Sequence, residues 1–204
     1  RGRRRRAVLP ESTAAPRSPR PALAGYRAGA RVAGHRTGHR PVGPARLVPF
    51  SLVTTADLRL LSVHAHPDDE ASKGAGTVAR YVAEGVHATL VCCTGGEAGE
   101  ILNPAMDRPE VHERLADVRR EELEASVAVI GFQELVWLGY RDSGMPDSPE
   151  NADPRCFACA DLDEAVGRLV AVIRRTRPQV ILTYGDDQEG YPHPDHLRVH
   201  DISI

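Results

Sequence analysis

Long apolar runs are missing from this sequence. No stretch reaches the roughly 18 consecutive apolar residues that a membrane-crossing helix needs, so no membrane partner is expected. Aromatic residues make up only 4% of the 204 residues, so a core has to come mainly from the aliphatics that bring the apolar share to 41%. Cysteine is scarce as well. Four cysteines in a chain of this length do not make a disulfide scaffold. Cys92 and Cys93 lie in an apolar, strand-like run where buried free thiols are expected. Cys156 and Cys159 have redox-motif spacing but no second pair or nearby His to make a zinc site. All four are read as thiols of a reducing cytoplasm.

A net charge of −2 conceals a split. Residues 1–50 hold twelve arginines against the single acid Glu11, together with seven of the 16 prolines. Residues 51–204 hold 14 basic against 27 acidic residues, which argues against nucleic acid as a partner of that part. Residues 1–56 are Arg-, Pro-, Ala- and Gly-rich without apolar periodicity. Such a segment buries too little apolar surface to offset its ordering entropy, so it is expected to be a disordered leader or the product of a misplaced start. No apolar stretch follows its arginines at the distance a secretion signal would need.

From Leu58 onward the texture is that of an α/β domain, expected to span 57–204. Strands are predicted at 58–64, 87–94, 134–138 and 179–184. Helices are predicted at 76–85, 111–130 and 162–176, each closed at or near a Gly or Pro. Alternating strands and helices imply βαβ crossovers and a mostly parallel sheet. A polar cluster follows each strand: HAHPDDE, TGGEAGE, GYRDSGMPD and YGDDQEGYPHPDH. In open α/β sheets ligands sit beyond the carboxyl ends of the strands, so the four clusters are expected to share one edge.

Two of these clusters carry the chemistry. Residues 64–70 place two imidazoles and three carboxylates together, and 190–196 add two imidazoles and a carboxylate. Two proline-punctuated His/Asp clusters at strand ends are hard to explain as solvated surface. A mixed nitrogen and oxygen donor set suits zinc or a related divalent ion with one position open to water.

AHPDDE at 65–70 with HPDH at 193–196 resembles the N-acetylglucosaminyl-phosphatidylinositol deacetylase, or LmbE-like, family. Within it, the stretches at 72–76, 94–110, 140–148 and 190–196 are most similar to the branch that cleaves mycothiol S-conjugates. The resemblance implies a Rossmann-like, mostly parallel sheet with flanking helices. It implies His66, Asp69 and His196 as ligands of one Zn²⁺ or Fe²⁺, and Asp68 as the general base. It further implies His193 as stabiliser of the oxyanion or proton donor to the leaving amine, and Tyr191 as an aid at the carbonyl oxygen. Asp195 would orient His193 or a ligand. Lys73, Arg119 and Asp142 would hold the small-molecule substrate, a mycothiol S-conjugate with its glucosaminyl-inositol part. The implied activity is an amidase that frees a cysteine S-conjugate in detoxification; the alternatives are a deacetylase of N-acetylglucosaminyl-inositol or another N-acetyl sugar, and an inactive truncated product. The chain stops eight residues after His196, so the domain is expected to be incomplete, with a helix of barely two turns from Pro194. Nothing in the pattern speaks for a particular oligomeric state.

Overall fold

The computed structural model describes residues 54–204. The expected leader lies outside the described residues except for its last three. In those three, the Thr54 backbone N–H and hydroxyl both donate to Asp57 and close a 3₁₀ turn at Thr55–Asp57.

Four parallel strands form the sheet: β1 (Arg59–His64), β2 (His87–Thr94), β3 (Glu134–Tyr140) and β4 (Val180–Leu182), in the order β3-β2-β1-β4. The helices are α1 (Asp69–Ser72), α2 (Ala75–Ala83), α3 (Pro109–His112), α4 (Leu115–Ile130), α5 (Leu162–Thr176) and α6 (Pro194–Ser203). Apolar residues run through β1 and β2 without polar alternation because both faces of the sheet are covered. On one face Leu61, Val63, Val91 and Cys93 pack with Leu169 of α5 and Val199 of α6. On the other Leu60, Ala88, Leu90 and Cys92 pack with Val78 of α2 and Leu123 of α4. Cys92 and Cys93 therefore point to opposite sides, both buried and free. No described helix is long and apolar enough to cross a membrane.

Three elements depart from the sequence expectation. The helix expected at 111–130 is broken: α3 ends at His112, and Arg114 takes φ −119°, ψ 21° before α4 begins. Between Val111 and Leu123 no residue is fully buried, so no apolar anchor holds one continuous axis. β4 is three residues long because only Leu60, Leu61 and Ser62 of β1 pair with it. α6 runs ten residues, nearer three turns than two.

Candidate metal centre and active site

The segments after β1, β2 and β3 and the start of α6 meet at the carboxyl edge of the sheet around a cavity of about 620 Å³. The loop after β1 supplies the first group. His66 and Asp69 are 7% and 3% exposed, and the His66 backbone N–H donates to Asp69 Oδ2 at 3.0 Å. Between them Asp68 adopts φ 99°, a left-handed conformation rare for a residue with a side chain. Neighbours hold it there. Its backbone N–H donates to Glu70 Oε2 at 2.9 Å, and buried Glu70 also accepts from Ser126 of α4 at 2.5 Å. The result turns the Asp68 carboxylate outward, with its side chain 74% exposed.

His196 comes from the first turn of α6, which opens with His193 as the N-cap and Pro194 at the first helical position. His66 Nδ1 lies 3.4 Å from Asp69 Oδ2, and His196 Nε2 lies 3.5 Å from the same oxygen. Bonds of about 2.0–2.2 Å in a tetrahedral zinc site place neighbouring donors roughly 3.3–3.6 Å apart, which these spacings match. The donor chemistry fits too. Asp69 is buried, which pushes its pKa up, but His196, His66 and Lys73 outweigh that and hold the carboxyl far below the ordinary range. His66 Nε2 faces Asp195 at 3.2 Å and Asp142 at 3.4 Å, so this nitrogen carries the proton and Nδ1 presents a lone pair. Burial disfavours a charged His66, but hydrogen bonds to Asp142, Asp195 and Asp69 raise its pKa well above the usual value, so a cation bound at Nδ1 would take the place of the ring's second proton. His196 Nδ1 is buried without a hydrogen-bond partner among the described residues. Two imidazoles and an ionised carboxylate gathered in this way suit a divalent cation.

His193 stands beside this group, its ring centroid 4.5 Å from that of His66. Its Nδ1 accepts from the Asp195 backbone N–H at 3.2 Å, leaving Nε2 directed toward Asp142 at 4.0 Å. Burial and the nearby His66 lower its pKa to about 4. The Asp195 side chain makes no hydrogen bond to His193, though a carboxylate oxygen lies within 4.8 Å of a His193 ring nitrogen. Fully buried, it accepts from His66 Nε2 and from the backbone N–H and hydroxyl of Ser143. Tyr191 stands at the rim, 54% exposed, with its ring 5.6 Å from that of His196.

The three residues expected to hold substrate all line the cavity, and each is also engaged by the protein. Lys73, the chain's one lysine, places Nζ 2.5 Å from Asp69 Oδ1. Arg119 of α4 donates to Pro67 O at 2.6 Å, Gly96 O at 2.5 Å and Asp68 Oδ2 at 2.8 Å, tying the β1 and β2 loops together. Asp142 is 4% exposed and accepts from the backbone N–H groups of Gly144 and Ala98. Its pKa stays low despite burial because His66 and Gly144 bond it.

Sequence reading missed three supports: Tyr184, Ser143 and Glu70. Tyr184 follows the short β4, and its buried hydroxyl donates to Asp69 Oδ2 at 2.5 Å while accepting from Ala65 N–H at 3.1 Å. Its ring stacks on His196 with centroids 4.4 Å apart. The available signal was a polar-tipped aromatic ending an apolar run beside the metal loop. Among the described residues, further histidines lie outside the centre. His64 is buried against Ser62 at 2.8 Å, His112 pairs with Asp107 at the surface, and His200 meets Tyr184 O at 3.1 Å.

Residues 61–204 match the PIG-L family, described as GlcNAc-PI de-N-acetylase. The chain is 49% identical over 157 residues to the mycothiol S-conjugate amidase of Streptomyces coelicolor, covering 74% of this chain and 52% of the relative. It is 48% identical over 156 residues to the 1D-myo-inositol 2-acetamido-2-deoxy-alpha-D-glucopyranoside deacetylase of Geodermatophilus obscurus, covering 74% and 53%. Among solved structures, the N,N'-diacetylchitobiose deacetylase of Pyrococcus horikoshii superimposes with a TM-score of 0.55 at 26% identity, covering 71% of this chain and 47% of that one. The chain thus spans about half the length of the curated relatives it matches.

Proposed function

The chain belongs to the GlcNAc-PI de-N-acetylase family, and on that premise we propose that it is the metal-bearing part of a hydrolase that cleaves amide bonds on amino-sugar substrates. The observation that carries this reading is the convergence of His66 Nδ1 and His196 Nε2 on Asp69 Oδ2, beside the outward carboxylate of Asp68. His66, Asp69 and His196 would hold one divalent ion, zinc in the first instance with iron as the alternative. The ion supplies Lewis acidity toward water and toward the amide carbonyl.

The chain's own residues account for the rest. Asp68 takes the proton of the attacking water at the carboxylate oxygen that Arg119 does not bond, and Arg119 fixes the position of that carboxylate through Oδ2. His193, neutral and with Nδ1 held by the Asp195 N–H, donates its Nε2–H as a hydrogen bond to the developing oxyanion, and the proton taken up by Asp68 passes to the departing amine. Tyr191 reaches the carbonyl oxygen from the rim and stabilises the developing negative charge. Asp195 and Asp142 keep the His66 proton on Nε2 and so keep Nδ1 available. Lys73, Arg119 and Asp142 line the substrate cavity, where hydroxyl-rich ligands need convergent polar groups.

The substrate we assign is a mycothiol S-conjugate, cut between its cysteinyl and glucosamine parts in thiol-based detoxification. The catalytic unit is assigned to residues 57–204, and the four free thiols support a cytoplasmic setting. A second reading, deacetylation of N-acetylglucosaminyl-inositol, is favoured by the near-equal identity to relatives of both kinds. Turnover of a mycothiol bimane conjugate compared with N-acetylglucosaminyl-inositol, on the zinc-loaded full chain, separates them. Preference for the conjugate supports the amidase; preference for the acetyl sugar replaces it with the deacetylase. Hydrolysis of neither would point to the inactive product.

A further inference from the structure

Cys156 and Cys159 share one turn outside the metal centre, and the proposed hydrolysis uses neither. The Cys159 backbone N–H donates to Cys156 O at 3.1 Å, closing the four-residue turn. Ends of such a turn lie within about 7 Å at Cα, and a disulfide spans roughly 4.4–6.8 Å. Both sulfurs also converge on one acceptor: Cys159 Sγ lies 3.3 Å and Cys156 Sγ 4.0 Å from the Asn151 carbonyl oxygen. Their access differs. Cys159 is exposed, whereas Cys156 is fully buried beneath it.

We propose that Cys156 and Cys159 form a dithiol modification site that exchanges with low-molecular-weight disulfides and closes as an internal disulfide. Exposed Cys159, as the thiolate, attacks one sulfur of the small disulfide. The S–S bond breaks, one small thiol leaves with a proton from solvent, and a mixed disulfide remains on Cys159. Cys156 then loses its proton to solvent and attacks Cys159 Sγ, expelling the second small thiol. Two protein thiols are oxidised and one small disulfide is reduced to two thiols. The buried partner can act only as the resolving group, because a bulky disulfide reaches Cys159 alone. Cys156 beside it raises the Cys159 pKa, so the thiol is the resting form and exchange begins from its minor thiolate fraction.

The turn is anchored in a way that lets it react in place. Arg198 donates to Ala158 O at 2.5 Å and Ala160 O at 3.1 Å. Ala158 N–H donates to the Ser143 hydroxyl at 2.9 Å, and that hydroxyl in turn bonds Asp195. Joining the sulfurs withdraws them from Asn151 O. Asn151 itself donates to Ser143 O at 2.5 Å, so the redox state of the pair bears on the loop that carries Asp142 and Ser143.

The test is to treat the native full chain with excess oxidised glutathione and follow thiols and peptide masses. The expected result is loss of one pair of thiols and of one pair of hydrogens on the peptide that carries Cys156 and Cys159. Cys92 and Cys93 should remain reduced, since burial hides them and pushes their thiols up. Cys156→Ser should accumulate the glutathione adduct on Cys159, and Cys159→Ser should not react while folded. Four unreacted thiols in the native wild type, an adduct on wild-type Cys159 that never closes, or a disulfide that forms only in denaturant would each overturn the proposal. None of these readouts depends on amide hydrolysis.

Discussion

The Tyr184 hydroxyl donates to Asp69 Oδ2 at 2.5 Å, the same oxygen that faces His66 Nδ1 and His196 Nε2. Burial and the Asp69 charge push the tyrosine pKa above its ordinary value, so the hydroxyl keeps its proton and remains a donor at neutral pH. Tyr184 thus fixes which carboxylate lone pair points at the imidazoles. Tyr184→Phe keeps the ring stacked on His196 and removes only the donor. It should weaken zinc affinity by about 10–100-fold, the usual effect of losing a partner behind a metal ligand. Competition with a chromophoric chelator measures this. Unchanged affinity would mean that Asp69 is not a ligand.

Asp195 is a second such support, and its carboxylate is fully buried. It accepts from three donors, so Asp195→Asn turns one acceptor into a donor facing a donor. The substitution should cost about 1–3 kcal/mol in chemical denaturation and reduce zinc affinity as well. A loss of affinity with no loss of stability would show that the carboxylate orients His66 without holding the Ser143 loop.

Arg119 governs the ionisation of the proposed base. Partial burial raises the Asp68 pKa, and the Arg119 guanidinium at 2.8 Å opposes the rise. A base must be ionised to act. Removing the cation in Arg119→Gln lifts the Asp68 pKa further, so the acidic limb of the pH–rate profile should move to higher pH. A limb that stays in place would assign it to another group.

The architecture was legible where burial is two-sided. The runs around Leu61–Val63 and Leu90–Cys93 read as strands because neither face meets water. The loop proposed to hold the metal was legible because His66, Pro67, Asp68 and Asp69 are adjacent in the chain. What escaped depends on contacts between distant segments. Tyr184 reads as the end of a strand, yet pairing with β1 stops at Leu182 and frees the ring to cross to Asp69. Ser143 sits in a loop like any serine until α6 brings Asp195 to it. Glu70 shares the acidic run with Asp68 and Asp69. Only the approach of Ser126 from α4 buries it as a backbone support.

The face under α5 gives a stability test away from the site. Leu169 is fully buried between Leu61, Val63 and Val199. Leu169→Ala should destabilise the fold by about 2–5 kcal/mol through lost burial and a residual cavity. A cost below about 1 kcal/mol, measured by urea denaturation, would indicate that α5 does not pack as described.

The central claim is that His66, Asp69 and His196 bind one divalent ion while Asp68, between two of them in the chain, serves as the base. The decisive measurement is bound zinc per chain in the wild-type chain, His196→Ala and Asp68→Ala after equal exposure to the metal. About one equivalent should bind to the wild type and to Asp68→Ala, and His196→Ala should lose most of it. Equal loading of all three proteins, or loss of zinc in Asp68→Ala with retention in His196→Ala, would contradict it.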